Sequence, residues 1–138
     1  MKLAAQLFTL RDYCRTPDEL FETLGKIREM GYDGVELEST LIKAADRGEL
    51  KERLCQLGLS VCSVRSPFGR TGYDLNGMID EAKAFGTGYV GIGTITGSYS
   101  FNNAGPGGFH RFAAKALEVG ETLSENGLTG LYSLRSHE

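Results

Sequence analysis

Gly31-Tyr32-Asp33-Gly34-Val35-Glu36-Leu37-Glu38 decides the architecture. Gly31 follows a stretch in which Leu20, Leu24 and Ile27 recur at helical spacing, with Phe21 and Met30 beside them. It supplies the left-handed residue that ends a helix, and Gly34 to Glu38 then reads as a short strand. The helix also has a start signal: Thr16 as cap, Pro17 at the first helical position and Glu19 completing the capping pattern. Before it, Leu3 to Leu7 reads as a first buried strand.

Downstream the same phrase repeats. Leu50, Leu54 and Leu57 mark a second helix ended by Gly58, and Ser60 to Val64 a third strand. Leu75, Met78, Ile79, Ala82 and Phe85 mark a third helix ended by Gly86, and Tyr89 to Ile92 a fourth strand. Phe109, Phe112, Ala113, Ala116, Leu117, Gly120 and Leu123 line a fourth helix ended near Gly127, and Leu128 to Tyr132 is a fifth strand. Strands alternating with helices imply parallel pairing through right-handed crossovers. The longest connection runs from Gly93 to Gly108 and leaves a strand's carboxyl end, where α/β proteins place their sites. Periodicity alone fits two architectures, an open flavodoxin-type sheet or the first part of an eight-stranded barrel. A barrel predicts sequential strand order with the helices on one outer face. A flavodoxin-like sheet predicts the order 2-1-3-4-5.

At 138 residues the chain suits one domain with a real core. Fifteen Lys and Arg against 18 Asp and Glu leave a net charge of −3, without a basic stripe. This argues against nucleic acid and acidic lipid as partners. No stretch approaches the ~18 apolar residues of a membrane span, and the apolar start meets Thr9, Arg11 and Asp12 too soon for a secretory signal core. Cys14, Cys55 and Cys62 are odd in number and form no Cys-x-x-Cys pair, which fits free thiols and a cytoplasmic location.

Several residues are candidates for chemistry. Glu36 and Glu38 share one face of the second strand, opposite Val35 and Leu37; in a barrel that face lines the site at the strand's carboxyl end. Glu36 is the functional candidate of the two, and Glu38 is expected to meet solvent or pair with a basic neighbour. Arg65 follows the third strand and could hold a phosphate or carboxylate with two parallel N–H groups, though a surface arginine fits at least as well. Gly91-Ile92-Gly93-Thr94-Ile95-Thr96-Gly97 departs from the dinucleotide fingerprint, its third glycine one residue late and no helix opening directly after it. Gly107-Gly108, at the expected start of the fourth helix, is a weakly supported phosphate position. His110 reads as structural or exposed, Cys62 as a small buried residue, and His137-Glu138 as a terminal pair with little to hold a metal.

The order and spacing of Gln6-Leu7-Phe8-Thr9-Leu10-Arg11-Asp12, Gly31 to Leu37, Leu57 to Cys62, Tyr89 to Gly93 and Asn126-Gly127-Leu128-Thr129 resemble the sugar phosphate isomerase/epimerase family, the xylose-isomerase-like TIM barrels. The resemblance implies that residues 1–138 form a single incomplete (βα)8 TIM-barrel domain of about five parallel strands and four helices. It implies an ancestral metal-dependent isomerisation or epimerisation of a sugar or sugar derivative, with Mn²⁺, Mg²⁺ or Co²⁺ at the strands' carboxyl ends. Gln6 and Glu36 match positions near the family's substrate pocket and are expected to approach each other there; Arg65 is the third substrate-binding candidate. Relatives often carry a histidine where this chain has Arg65, and Tyr-His-Asn-His where it has Tyr132-Ser133-Leu134-Arg135. The later strands and their ligands are absent from the sequence. The expectation is therefore a truncated member that binds metal poorly and self-associates or joins a complementary half-barrel. The alternatives are a non-catalytic remnant or binding module on the same fold and, more weakly, a flavodoxin-like nucleotide binder.

Overall fold

A computed structural model describes residues 2–43, 45–68, 74–95 and 101–132. Five parallel strands form one sheet in sequential order: β1 (Ala4–Gln6), β2 (Gly34–Glu38), β3 (Ser60–Phe68), β4 (Tyr89–Ile95) and β5 (Thr129–Tyr132). This order excludes the flavodoxin arrangement, in which β1 would lie between β2 and β3. It is the five-stranded part of a TIM barrel, each strand laid beside the last.

The helices are α1 (Pro17–Glu29), the single turn α2 (Ser39–Ile42), α3 (Arg47–Leu57), α4 (Leu75–Phe85) and α5 (Phe101–Glu125). Their ends follow local chemistry. Thr16 caps α1 by accepting the Glu19 amide at 3.2 Å, and Asp46 and Asp74 cap α3 and α4 through amides at 2.9 Å. Gly58 and Gly86 end α3 and α4 with φ of 64° and 70°, which a side chain would resist.

Val35, Leu37, Val64, Val90 and Ile92 face the helices and join Leu20, Leu24, Ile27, Leu50, Leu54, Ile79, Phe112, Val119 and Leu123 in one core. The helices thus pack on one face of the sheet. The opposite face carries the side chains of alternate parity: Gln6, Glu36, Tyr89 and Leu131.

Three elements depart from the sequence reading. After Gln6 the chain turns into a 3-10 segment, Leu7–Tyr13, which buries Leu7 completely. β3 runs on to Phe68 and β4 to Ile95. Much of the Gly93–Gly108 stretch is regular: β4 takes it to Ile95, and α5 starts at Phe101 and passes a kink at Gly105, with φ 55° and ψ −157°. Gly107-Gly108 follow that kink, at the start of the longer helical stretch, as the sequence reading expects.

Candidate functional site

The site grows from one irregularity in the sheet. Ala4, Ala5 and Gln6 pair in register with Gly34, Val35 and Glu36, so Gln6 and Glu36 lie side by side at the carboxyl end of neighbouring strands. On the other side, Val35 pairs with Val61 but Glu36 with Ser63. Cys62 is the extra residue of a bulge. Val61 packs towards the helices; after the bulge, Ser63 and Arg65 face the opposite way with Glu36, while Val64 is buried in the core.

Glu36 is the hub of this face. Its Oε1 accepts from Gln6 Nε2 at 2.7 Å and lies 3.5 Å from Arg65 Nη1. Its Oε2 accepts from Ser63 Oγ at 2.7 Å. Gln6 is fixed in turn, because its Oε1 accepts from Thr9 Oγ1 at 3.0 Å. The expected approach of Gln6 and Glu36 is present on the concave side.

Arg65 is not a surface arginine: it is 7% exposed, and its Nη2 is buried without a hydrogen-bond partner. A buried guanidinium donor normally finds an acceptor. Arg65 pairs across β4 with Gly91, where an added Cβ would stand 3.2 Å from Arg65 Cγ and 3.3 Å from its Cβ. Gly91 therefore gives the arginine stem its seat, a structural reason for a glycine that sequence reading assigned only to a tight strand.

Glu38 departs from expectation. It does not face solvent, being 4% exposed, and among the described residues it forms no ion pair and accepts from Thr40 Oγ1 at 3.3 Å. Burial pushes its carboxyl up from 4.5 to about 6, against the opposing pull of Thr40 and Arg65 and with a small push from Glu36. The folded chain thus holds this proton more tightly than the unfolded chain. The resulting stability is fully present below about pH 4.5 and is lost as pH rises through about 6. Glu38→Gln is expected to stabilise the fold above pH 7 by up to about 2 kcal/mol and to have little effect at pH 4. Thermal unfolding of both proteins across that range checks it.

The remaining candidates fall away from the site or outside the described residues. Cys62 is exposed on the bulge rather than buried, and Cys14, Cys55 and Cys62 are all free thiols. His110 is exposed on α5. Gly69, Arg70, Gly97 and residues 133–138, including His137 and Glu138, lie outside the described residues. Ser63 was missed because strict alternation from Val61 hides the bulge. On the helix side, a cavity of about 350 Å³ is lined by residues including Ser39, Arg47, Met78 and Glu81. Its principal polar groups already pair, Glu81 accepting from Ser39 Oγ at 2.7 Å and lying 3.9 Å from Arg47.

A divalent cation does not fit the described residues. Among them no three His, Cys, Asp or Glu converge. Both oxygens of Glu36 are engaged, and the Arg65 guanidinium stands 3.5 Å from one of them, where it would repel a second cation.

No family model matches the sequence, and no curated protein matches it. Solved structures do match in fold. A probable 3-DHS dehydratase, AsbF, from Bacillus anthracis superposes with a TM-score of 0.69 at 13% identity, over 96% of this chain and 52% of that one. A sugar phosphate isomerase/epimerase from Parabacteroides distasonis gives 0.64 at 13% identity, over 95% and 50%. A D-allulose 3-epimerase from Methylomonas sp., in complex with D-allulose, gives 0.67 at 13% identity, over 96% and 50%. The chain spans about half the length of these proteins and shares their barrel fold.

Proposed function

We propose that residues 1–138 are a single incomplete xylose-isomerase-like barrel domain that holds a sugar or sugar derivative through Gln6, Glu36 and Arg65, in the cytoplasm. The observation that carries this reading is the polar cluster of Gln6, Glu36, Ser63 and Arg65 at the carboxyl ends of β1 to β3, on the concave face. Barrel enzymes assemble their sites at this end. Two of the fold neighbours are by name a sugar phosphate isomerase/epimerase and a D-allulose 3-epimerase with its sugar bound. The ancestral activity is then a metal-dependent isomerisation or epimerisation, with Mn²⁺, Mg²⁺ or Co²⁺ as its cofactor.

The metal's poor fit to the described residues favours the second reading for the chain by itself: a binding module on the same fold. The polar cluster orients hydroxyl and carbonyl oxygens, but among the described residues no three His, Cys, Asp or Glu converge to hold the metal of the ancestral reaction. Incubated with D-allulose and Mn²⁺, the isolated chain is expected to leave the ketose unchanged. Appearance of its C3 epimer above a protein-free control would contradict this.

A partner follows from the same geometry. β1 and β5 are the outer strands of the sheet, and on the concave face Tyr89 is 49% and Leu131 42% exposed. In a closed barrel that face is turned inward. A complementary half-barrel or a second copy of the chain would cover it. Light scattering on the purified chain is expected to give a mass above that of the monomer; a monodisperse 15.0 kDa species would contradict it.

A further inference from the structure

A second site lies on the helix side of the sheet. We propose that the cavity of about 350 Å³ lined by α2, α3 and α4 binds a small zwitterion with an apolar body, a free α-amino acid with an aliphatic side chain.

Charge around this cavity is balanced in number and segregated in place. Lys43, which closes α2, and Arg47, in the first turn of α3, supply two bases. Asp74, the cap of α4, and Glu81, further along that helix, supply two acids. A lone anion would meet the acids of α4, and a lone cation the bases of α2 and α3. A molecule carrying both signs satisfies both sets.

The pairing across the cavity is loose without a ligand. Glu81 Oε2 accepts from Ser39 Oγ at 2.7 Å. Its Oε1 accepts no hydrogen bond among the described residues, and Arg47 Nη2 stands 3.9 Å away, beyond hydrogen-bond reach. The Glu81 side chain is 12% exposed and that of Arg47 54%, so the acid lies deep and the base at the mouth. An ammonium seated on Glu81 Oε1, with a carboxylate turned outward to Arg47, replaces one long contact by two short charge-assisted ones. An α-amino acid carries both groups on one carbon.

The rest of the lining selects the side chain. Ile42, Leu50 and Met78 are buried, and Phe85 stands beside them. An aliphatic group covers that surface without stranding a polar atom. A sugar without charge gains neither ion pair, so D-allulose has no reason to prefer this cavity to the concave cluster.

Calorimetric titration of the chain at neutral pH with L-leucine, isoamylamine and isocaproate tests this, because the amine lacks leucine's carboxylate and the acid lacks its ammonium. Leucine is expected to bind at least ~10-fold tighter than either. Glu81→Gln keeps an acceptor for Ser39 and is expected to weaken leucine binding by at least ~10-fold. Arg47→Gln, at a half-exposed position, is expected to weaken it severalfold, and it decides alone if circular dichroism shows that Glu81→Gln does not fold. Leucine is expected to shift the Met78 methyl resonance. No binding of leucine, equal binding of the amine or the acid, or affinity unchanged in the folded variants overturns the inference. The sugar reading of the concave cluster is decided separately, by D-allulose.

Discussion

Glu36→Ala is expected to cost about 3 kcal/mol of stability, because removing one partner of a buried ion pair leaves the other charge uncompensated. Arg65 is 7% exposed and its Nη2 already lacks a partner, so without Glu36 the guanidinium has no hydrogen-bonded or ion-paired acceptor among the described residues. Gln6 Nε2 and Ser63 Oγ lose their acceptor at the same time. Glu36→Gln keeps the shape and one carbonyl acceptor and is expected to cost less. The double change Glu36→Ala with Arg65→Met removes the stranded charge and is expected to recover at least half of the loss. Urea unfolding of the parent chain, Glu36→Ala, Arg65→Met and the double variant, with unchanged denaturant slopes, checks the cycle. Additive losses would show that Glu36 and Arg65 do not act as a pair.

Gly34→Ala is expected to be comparably damaging for a steric reason. A methyl group there would run into the Ser60 carbonyl and stand 2.8 Å from Ser60 Oγ. The obstacle is mainly backbone, held in place because Ser60 N donates to the Asp33 carbonyl at 3.0 Å and its Oγ to the same oxygen at 3.1 Å. The β2–β3 pairing must open at its amino end to admit the methyl, at a cost of about 3 kcal/mol. In a domain of this size that lowers the unfolding temperature by roughly 10 °C. Gly25→Ala, at a helical position where nothing lies within 4 Å of the added carbon, serves as the control and is expected to be neutral or mildly stabilising. An undiminished unfolding temperature for Gly34→Ala would show that β2 and β3 do not approach this closely.

These residues also show what the sequence could reveal. The helix-ending glycines and the Thr16–Pro17 start were readable because they are local: a left-handed turn or a free helix amide needs a particular residue at a particular place. Gln6 and Glu36 were readable because alternation puts Glu36 opposite Val35 and Leu37, and the two residues end neighbouring parallel strands. Ser63 and the orientation of Arg65 were not. The bulge at Cys62 reverses parity between Val61 and Val64, and a bulge depends on pairing with β2 rather than on residues 60–65 alone. The burial of Glu38 has the same origin, being set by neighbours that period-two alternation does not show. The start of α5 was hidden by composition, since Phe101-Asn102-Asn103-Ala104-Gly105 reads as loop although the chain is helical on both sides of the Gly105 kink.

On the proposed function, the cluster on the concave face, not the cavity on the helix side, receives the sugar ligand. Titrating D-allulose into the ¹⁵N-labelled chain while following side-chain and backbone amide resonances tests it most directly. Saturable shifts are expected in the Gln6 side-chain amide, the Arg65 guanidinium and the backbone of Glu36, Ser63 and Gly91. Shifts confined to residues around Ser39, Arg47 and Glu81, or none at all, would contradict it.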